Sequence, residues 1–322
     1  MSRHVRNTVI QAELETTYGS SAGITWNGSS AILIAGTPRH RIERDTVPRD
    51  LIRNYFGGSE HLIASRKAVI EFSVELAGSG AAATPPAFGK LLRACGMAET
   101  ITVGPPANVS YNPITTAQES VTLRYFVDGV MYVSRGCRGT VQIDMTAYER
   151  PMLNFTFHGF DTNAFTQSTP NTNFSAWQRP LVISDENSGD ISIGGTYSGG
   201  WVSGGTILPS RGLQIDLGNT VSHIKLLGGE SIDITARETT GKFTGALTAD
   251  DEVAWRTALN ANELTSMSFR HGSAAGSRVA IHAGAVQRIT PEIVDYEGRH
   301  LVAPDLRFLP VAGNDEIRIA FS

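Results

Sequence analysis

The order of elements in the first half of this 322-residue chain is written again in the second. Ile70-Glu71-Phe72-Ser73-Val74-Glu75-Leu76 is answered by Gly241-Lys242-Phe243-Thr244-Gly245-Ala246-Leu247, and a capped helix follows each, Thr84 to Gly96 and Thr248 to Asn260. Tyr125-Phe126-Val127-Asp128-Gly129 then matches Ser268-Phe269-Arg270-His271-Gly272. Downstream, Val141-Gln142, Tyr148-Glu149 and Phe155-Thr156-Phe157 find counterparts in Val286-Gln287, Tyr296-Glu297 and Leu306-Arg307-Phe308. Upstream, Ile32 to Gly36 is answered by Leu213 to Gly218. Each match alone is weak, but their shared order points to a duplicated unit with insertions confined to loops.

Length agrees, because chains of this size usually divide into units of roughly 150 residues. With 33 Gly and only 18% charged residues, the chain suits short strands and many turns, so the expected class is mainly β. A formal net charge of -4 gives no general attraction to nucleic acid or anionic membrane. Two cysteines, Cys95 and Cys137, are too few for a disulfide framework, which favours reduced, cytoplasmic synthesis. The first residues, Met1 to Glu13, lack the apolar core of a signal peptide, and no apolar run has the length to span a bilayer.

Local patterns fill in the unit. Ile70, Phe72, Val74 and Leu76 alternate with Glu71, Ser73 and Glu75, which predicts a strand with one core face and one polar face. Thr84 as cap, Pro85 at the first helical position and Gly96 as terminator predict a helix with a stripe of Phe88, Leu91, Leu92 and Cys95. In the second copy, Thr248 with Asp251 resembles a capping box, and Trp255, Ala258 and Leu259 form the stripe. One helix laid on a β sandwich or barrel is the expected unit in both halves.

Between Arg39 and Arg66 lies a long excursion of mixed charge, broken by Pro48 and Gly57-Gly58, which predicts an extended hairpin loop without counterpart in the second copy. A solvated loop explains it in an isolated protein; in a stacked assembly, Arg44, Asp45, Arg49, Asp50 and Arg53 become candidates for joining one ring to the next. The polar stretch from Asp161 to Asn173 marks a linker, which places one domain at 1–162, the linker at 163–176 and a second domain at 177–322. The glycine-rich run from Gly194 to Gly205 predicts turns or a flexible hairpin.

Catalytic and metal motifs fail on context. Gly19-Ser20-Ser21-Ala22-Gly23 has the spacing of a nucleophile elbow, but Ile24-Thr25-Trp26-Asn27-Gly28 cannot start the helix that motif requires. Asp185 to Asp190 resembles a calcium loop with its glycine misplaced and no terminal Glu. The eight His are scattered and the two Cys form no ligand pair. No catalytic, cofactor or metal site is expected, and Tyr125, Phe126 and Phe269 are read as strand aromatics of the core.

Glu75-Leu76-Ala77-Gly78-Ser79-Gly80, the run Thr84 to Gly96, Tyr111-Asn112-Pro113, and Asp128-Gly129 leading to Arg138-Gly139 together resemble the major tail tube proteins of long-tailed, siphovirus-like bacteriophages. Glu15-Thr16-Thr17-Tyr18-Gly19 is similar to the start of many of them. The resemblance covers about residues 10 to 160; the second half shares it through the repeat and lacks the Pro-Pro and Cys-Gly signature in its helix. It implies two tandem tail-tube-like β-sandwich or barrel domains, each with a flanking helix, whose sheets join around rings stacked along a tape-measure protein. Such rings are usually hexameric, so a chain with two domains implies trimeric rings with pseudo-sixfold symmetry. The remaining partners implied are a tail terminator and distal or initiator proteins, with genomic DNA passing through the lumen without specific binding and no membrane contact. Glu71 and Glu75 are candidates for that lumen, or equally for the outside, since alternation does not name the solvent. The expected location is the virion tail after cytoplasmic synthesis.

Other readings stay open. A tail terminator or a ring of a contractile secretion device would share the fold in shorter chains. A carbohydrate-binding or adhesin-type β sandwich would use Trp26, Trp177 and Trp201 as sugar platforms.

Overall fold

A computed structural model describes residue 4 and residues 6–322, and the side chains of Gly189 and Asp190 lie outside that description. Met1 to Arg3 and Val5, part of the N-terminal stretch read above, also lie outside it, as does the Asp190 end of the calcium-like loop. The first half runs β1 (Thr8–Leu14), β2 (Ala31–Ile32), β3 (Ala35–Pro48), β4 (His61–Glu75), α1 (Gly89–Ala94), β5 (Met97–Thr102), β6 (Asn108–Pro113), β7 (Val121–Val127), β8 (Val130–Thr146), β9 (Met152–Asp161) and β10 (Phe165–Thr166). The second runs β11 (Ser188–Ile193), β12 (Thr196–Ser198), β13 (Trp201–Ser203), β14 (Thr206–Leu208), β15 (Ser210–Asp216), β16 (Asn219–Leu226), β17 (Gly229–Arg237), β18 (Thr240–Gly245), α2 (Ala249–Asn260), β19 (Thr265–His271), β20 (Val279–Tyr296), β21 (Arg299–Leu309) and β22 (Arg318–Phe321). The chain is mainly β, with one large antiparallel sheet and two short hairpin sheets.

Strand pairing follows one order in both halves. In the first, β2 pairs β1, β1 pairs β7, and then β8, β9, β4 and β3 follow in turn. In the second, β14 pairs β11, β11 pairs β19, and β20, β21, β18 and β15 follow. Residues 163–176 hold β10, which is bonded to the start of β8, and Asn173 N–H donates to the Gly28 carbonyl at 2.9 Å. The segment is thus laid onto the fold along its length.

The alternation of β4 is realised: Ile70, Phe72, Val74 and Leu76 are buried, while Glu71, Ser73 and Glu75 stand on the other face. Helix α1 is shorter than its signals predict. It begins at Gly89 behind Phe88 and no side chain caps it, because two successive prolines bias residues 84 and 85 away from helical backbone. Its stripe and its end are as expected, with Phe88, Leu91, Leu92 and Cys95 buried and Gly96 at φ +73°. In α2, Asp251 N–H donates to Thr248 Oγ1 at 3.2 Å while the Thr248 hydroxyl donates to the Asp251 carboxylate at 2.6 Å. The glycine-rich run forms the small β12–β13 hairpin.

The Arg39–Arg66 excursion is the long hairpin of β3 and β4, closed by residues 49–60. The second half has an excursion of its own, contrary to the sequence reading: β16 and β17 pair over their full length as an outgrowth between β15 and β18. Ile232 and Ile234 alternate there, and Gly228-Gly229 marks the turn.

The halves share one hydrophobic core, which runs from Ile10 to Phe321. Strand β22 pairs β20 on one side and β6 on the other, and Phe321 packs edge-on against Phe88 and Tyr111 at ring distances of 5.7 and 5.8 Å. At the opposing loops, Gly80 N–H donates to the Gly276 carbonyl at 2.8 Å, and a Cβ on Gly78 would stand 2.2 Å from that carbonyl, so the Gly78-Ser79-Gly80 motif is needed for backbone to meet backbone.

Candidate assembly interface

Following hydrogen bonds from one strand to the next gives a continuous antiparallel run, β3-β4-β9-β8-β15-β18-β21-β20. The joint between the halves is β8 with β15, where Asp216 lies opposite Gln142 and Gly212 opposite Thr146. This joint is possible because β7 covers only the first part of β8, which leaves the rest of that edge for β15.

Both ends of the run are open. Strand β3 is paired on one side only, and β20 beyond Val286 is paired only with β21, so neither edge has a strand partner among the described residues. Unpaired N–H and C=O groups on such edges are templates for another strand. Each edge also carries a proline, Pro38 in β3 and Pro291 in β20, and β20 is irregular between Ile289 and Glu292. These features restrain indiscriminate pairing without abolishing the edge. Beside the β20 edge, Arg288 is 6% exposed and stacks on Trp255 at 4.6 Å, and its Nε and Nη2 lack acceptors. Burial lowers the pKa of its guanidinium.

One face of the eight-stranded run is core and the other is polar. Gln142, Asp144, Gln214, Asp216, Lys242 and Asp305 line a groove of about 540 Å³ across the joint on the polar face. Glu71 and Glu75 are on the same face, since Glu71 lies opposite Thr156 and Glu75 opposite Met152, which is next to Asp144. Each glutamate has a cationic partner, Arg41 at 3.4 Å and Arg150 at 2.5 Å, and Lys242 pairs with Asp305 at 3.2 Å. The two glutamates are therefore each held by a cation and do not form an acidic pair, while Asp144 accepts from Thr146 and Asp216 from Gln142, both neutral donors.

The excursion residues are spread along the β3–β4 hairpin. Arg44 is opposite Arg66, Asp45 accepts from Ser65 and pairs with Lys225, and Arg49 pairs with Glu60. Asp50 is exposed, and Arg53 lies over the Tyr55 ring at 5.8 Å. Charge alone misses what stands beside them: Ile52 and Phe56 are fully exposed at the tip, as is Leu227 at the tip of β16–β17. The Lys225–Asp45 contact joins the outer parts of the two hairpins, which project from the run in the same direction.

The tryptophans are engaged in packing. Trp26 is covered by the Arg124 guanidinium at 3.9 Å, Trp177 packs on Phe88, and Arg278 lies over Trp201 at 5.3 Å. Gly19 to Gly23 lie in turns after β1. Cys95 and Cys137 are buried free thiols, and burial pushes both far up from the ordinary thiol range. Among the described residues no group of His, Cys, Asp or Glu is placed to hold a metal ion, and no helix is long and apolar enough to cross a membrane.

No curated protein matches the chain. The sequence pattern of the phage tail tube protein family matches residues 6–312, nearly the whole length and both halves of the structure. With a mainly β fold that ends in two open sheet edges, the chain belongs to the phage tail tube protein family, whose members are non-enzymatic structural components of the virion tail.

Proposed function

We propose that this chain is the major tail tube subunit of a siphovirus-like phage, that it carries two tail tube domains in tandem, and that three copies close a ring with pseudo-sixfold symmetry. The carrying observation is the eight-stranded run with unlike open edges, β3 at one end and β20 at the other. Unlike edges make a head-to-tail contact, which closes into a ring when the rotation per subunit allows it. Three copies at about 4.8 Å per strand give a circumference on the order of 115 Å and a backbone diameter of roughly 37 Å, room for a double helix once side chains are counted. The repeated pairing order supports domains at 1–162 and 177–322, with the second docking on the first through β8 and β15 as a neighbouring chain would.

In this reading the polar face, with Glu71 and Glu75, lines the lumen and the function is passage without binding. Each cationic contact to phosphate strengthens retention, so a face whose Arg41, Arg150 and Lys242 are already paired with carboxylates lets DNA slide. Arg44, Asp45, Arg49, Asp50 and Arg53 lie on the projecting hairpin and join one ring to the next. The partners are further copies of the chain, a tape-measure protein in the lumen, and terminator and initiator proteins at the tube ends.

Negative-stain microscopy of the concentrated protein tests the reading. Hollow rings of three chains with a near-sixfold outline are expected, and a solid or two-chain particle would overturn it. Deleting residues 43–55 should leave a folded chain that forms no long tubes; normal tubes from that deletion would remove the stacking role.

A further inference from the structure

The β16–β17 hairpin is covered, and the outer part of the β3–β4 hairpin, beyond the Lys225–Asp45 contact, is bare. Ile232 of β17 is fully buried against the first half. Its N–H donates to Tyr18 Oη at 2.6 Å and its carbonyl accepts from Arg138 Nη1 at 2.9 Å, while Arg138 also pairs with Asp233. Gln118, just before β7, donates to the Ile234 carbonyl at 3.3 Å. The β3–β4 hairpin bears the same relation to its own half that β16–β17 bears to the second, since each grows from the outer strand pair of four inner strands. Yet Val47, Leu62 and Ile63 on it are 53, 52 and 60% exposed. Val47 and Leu62 lie directly opposite each other and share one face of the ribbon, while Ile63, opposite Thr46, is on the other face; the Val47–Leu62 pair is a surface that water disfavours.

The second half has the matching vacancies. Its segment just before β19, where Leu264 is exposed, corresponds in the pairing order to the Gln118 segment before β7. Next to the open β20 edge is Arg288, buried with two donors unsatisfied, a costly arrangement for a guanidinium unless an acceptor arrives.

We propose that the β3–β4 hairpin of one chain lies across the second half of a neighbouring copy, as β16–β17 lies across the first half of its own chain. Val47 and Leu62 become buried there, and Arg288 donates to a backbone carbonyl or carboxylate brought in with the neighbour's β3. The partner is a second copy of this chain within the same ring, so the contact rests on the ring reading above. The exposed tip, Ile52 and Phe56, extends past this contact and remains available to the next ring.

A photo-crosslinking benzoylphenylalanine placed at residue 62 of the full chain, on the face shared with Val47, tests it. Tubes or rings are assembled, irradiated, digested and mapped by mass spectrometry. The expected product has twice the chain mass, with residue 62 joined to a peptide of another chain between Ala261 and Arg288. Assemblies whose cross-links fall in the first half of another chain, or that give none, overturn the hairpin contact and leave the ring reading standing. A chain that assembles at no concentration removes the ring reading and the contact with it. Leu62→Asp, at an exposed site, should keep the thermal midpoint of the free chain and stay monomeric in sedimentation; rings from that variant would also overturn the contact.

Discussion

At the scale of single residues, the groups that hold the halves together are polar and buried. The Asn219 side-chain amide donates to the carbonyls of Cys95 and Gly139 at 2.7 and 2.9 Å, so one residue of the second half satisfies two acceptors of the first. Asn219→Ala strands both carbonyls and should cost about 1–3 kcal/mol, read from denaturant midpoints. Histidine sets the acid limit. Burial lowers the pKa of His40, His158, His271 and His282 below the ordinary 6.5. Below that pH the unfolded chain takes up protons that the folded chain refuses, so stability is full above about 6.5 and falls as pH drops toward the folded values. Thermal midpoints should fall from pH 7 to pH 5.5, and a flat profile across that interval would contradict the burial of these rings. None of these four roles was legible beforehand, because whether a His is in a core depends on which strands cover it, and that is a long-range property.

At the scale of elements, the sequence was most informative where periodicity and burial coincide. Strand β4 was readable because its Ile70, Phe72, Val74 and Leu76 alternate without interruption, and the Asp128-Gly129 turn because both residues adopt positive φ, +39° and +86°. The start of α1 was misjudged because Pro85 looks like a first helical residue until Pro86 is considered. Hairpin β16–β17 went unread because its Ser, His, Lys, Asp and Thr dilute the alternation of Ile232 and Ile234, and because its apolar face is completed by the first half rather than by its own neighbours. The open edges were invisible in sequence, since an edge is defined by the strand that is missing; Pro38 and Pro291 were the available hints. For α2, Thr248→Ala removes the acceptor of the Asp251 N–H and should cost about 1 kcal/mol, seen as a small loss in thermal midpoint without change in assembly.

At the scale of the whole molecule, the two halves are not independent of each other. The β8–β15 joint, the β6–β22–β20 bridge and the common core predict one cooperative unfolding transition, and two separated calorimetric peaks would contradict this. For the same reason residues 1–176 expressed alone should be aggregation-prone, because the β8 edge and the surface under Ile232 would both lie open. The order of elements was legible in the sequence and the docking of the two halves was not, because the contacts that lock them are between residues such as Tyr18 and Ile232 that no local pattern relates.

Two hairpins that leave the sheet at one end, and a third, β20–β21, that leaves it at the other, make the molecule an arrow with unlike head and tail. Any column built from such arrows inherits their sense. Its growing end and its founding end differ chemically, elongation adds material in one orientation, and an inverted unit is rejected because two like ends would meet. The start and the finish of such a column would therefore each need a different cap.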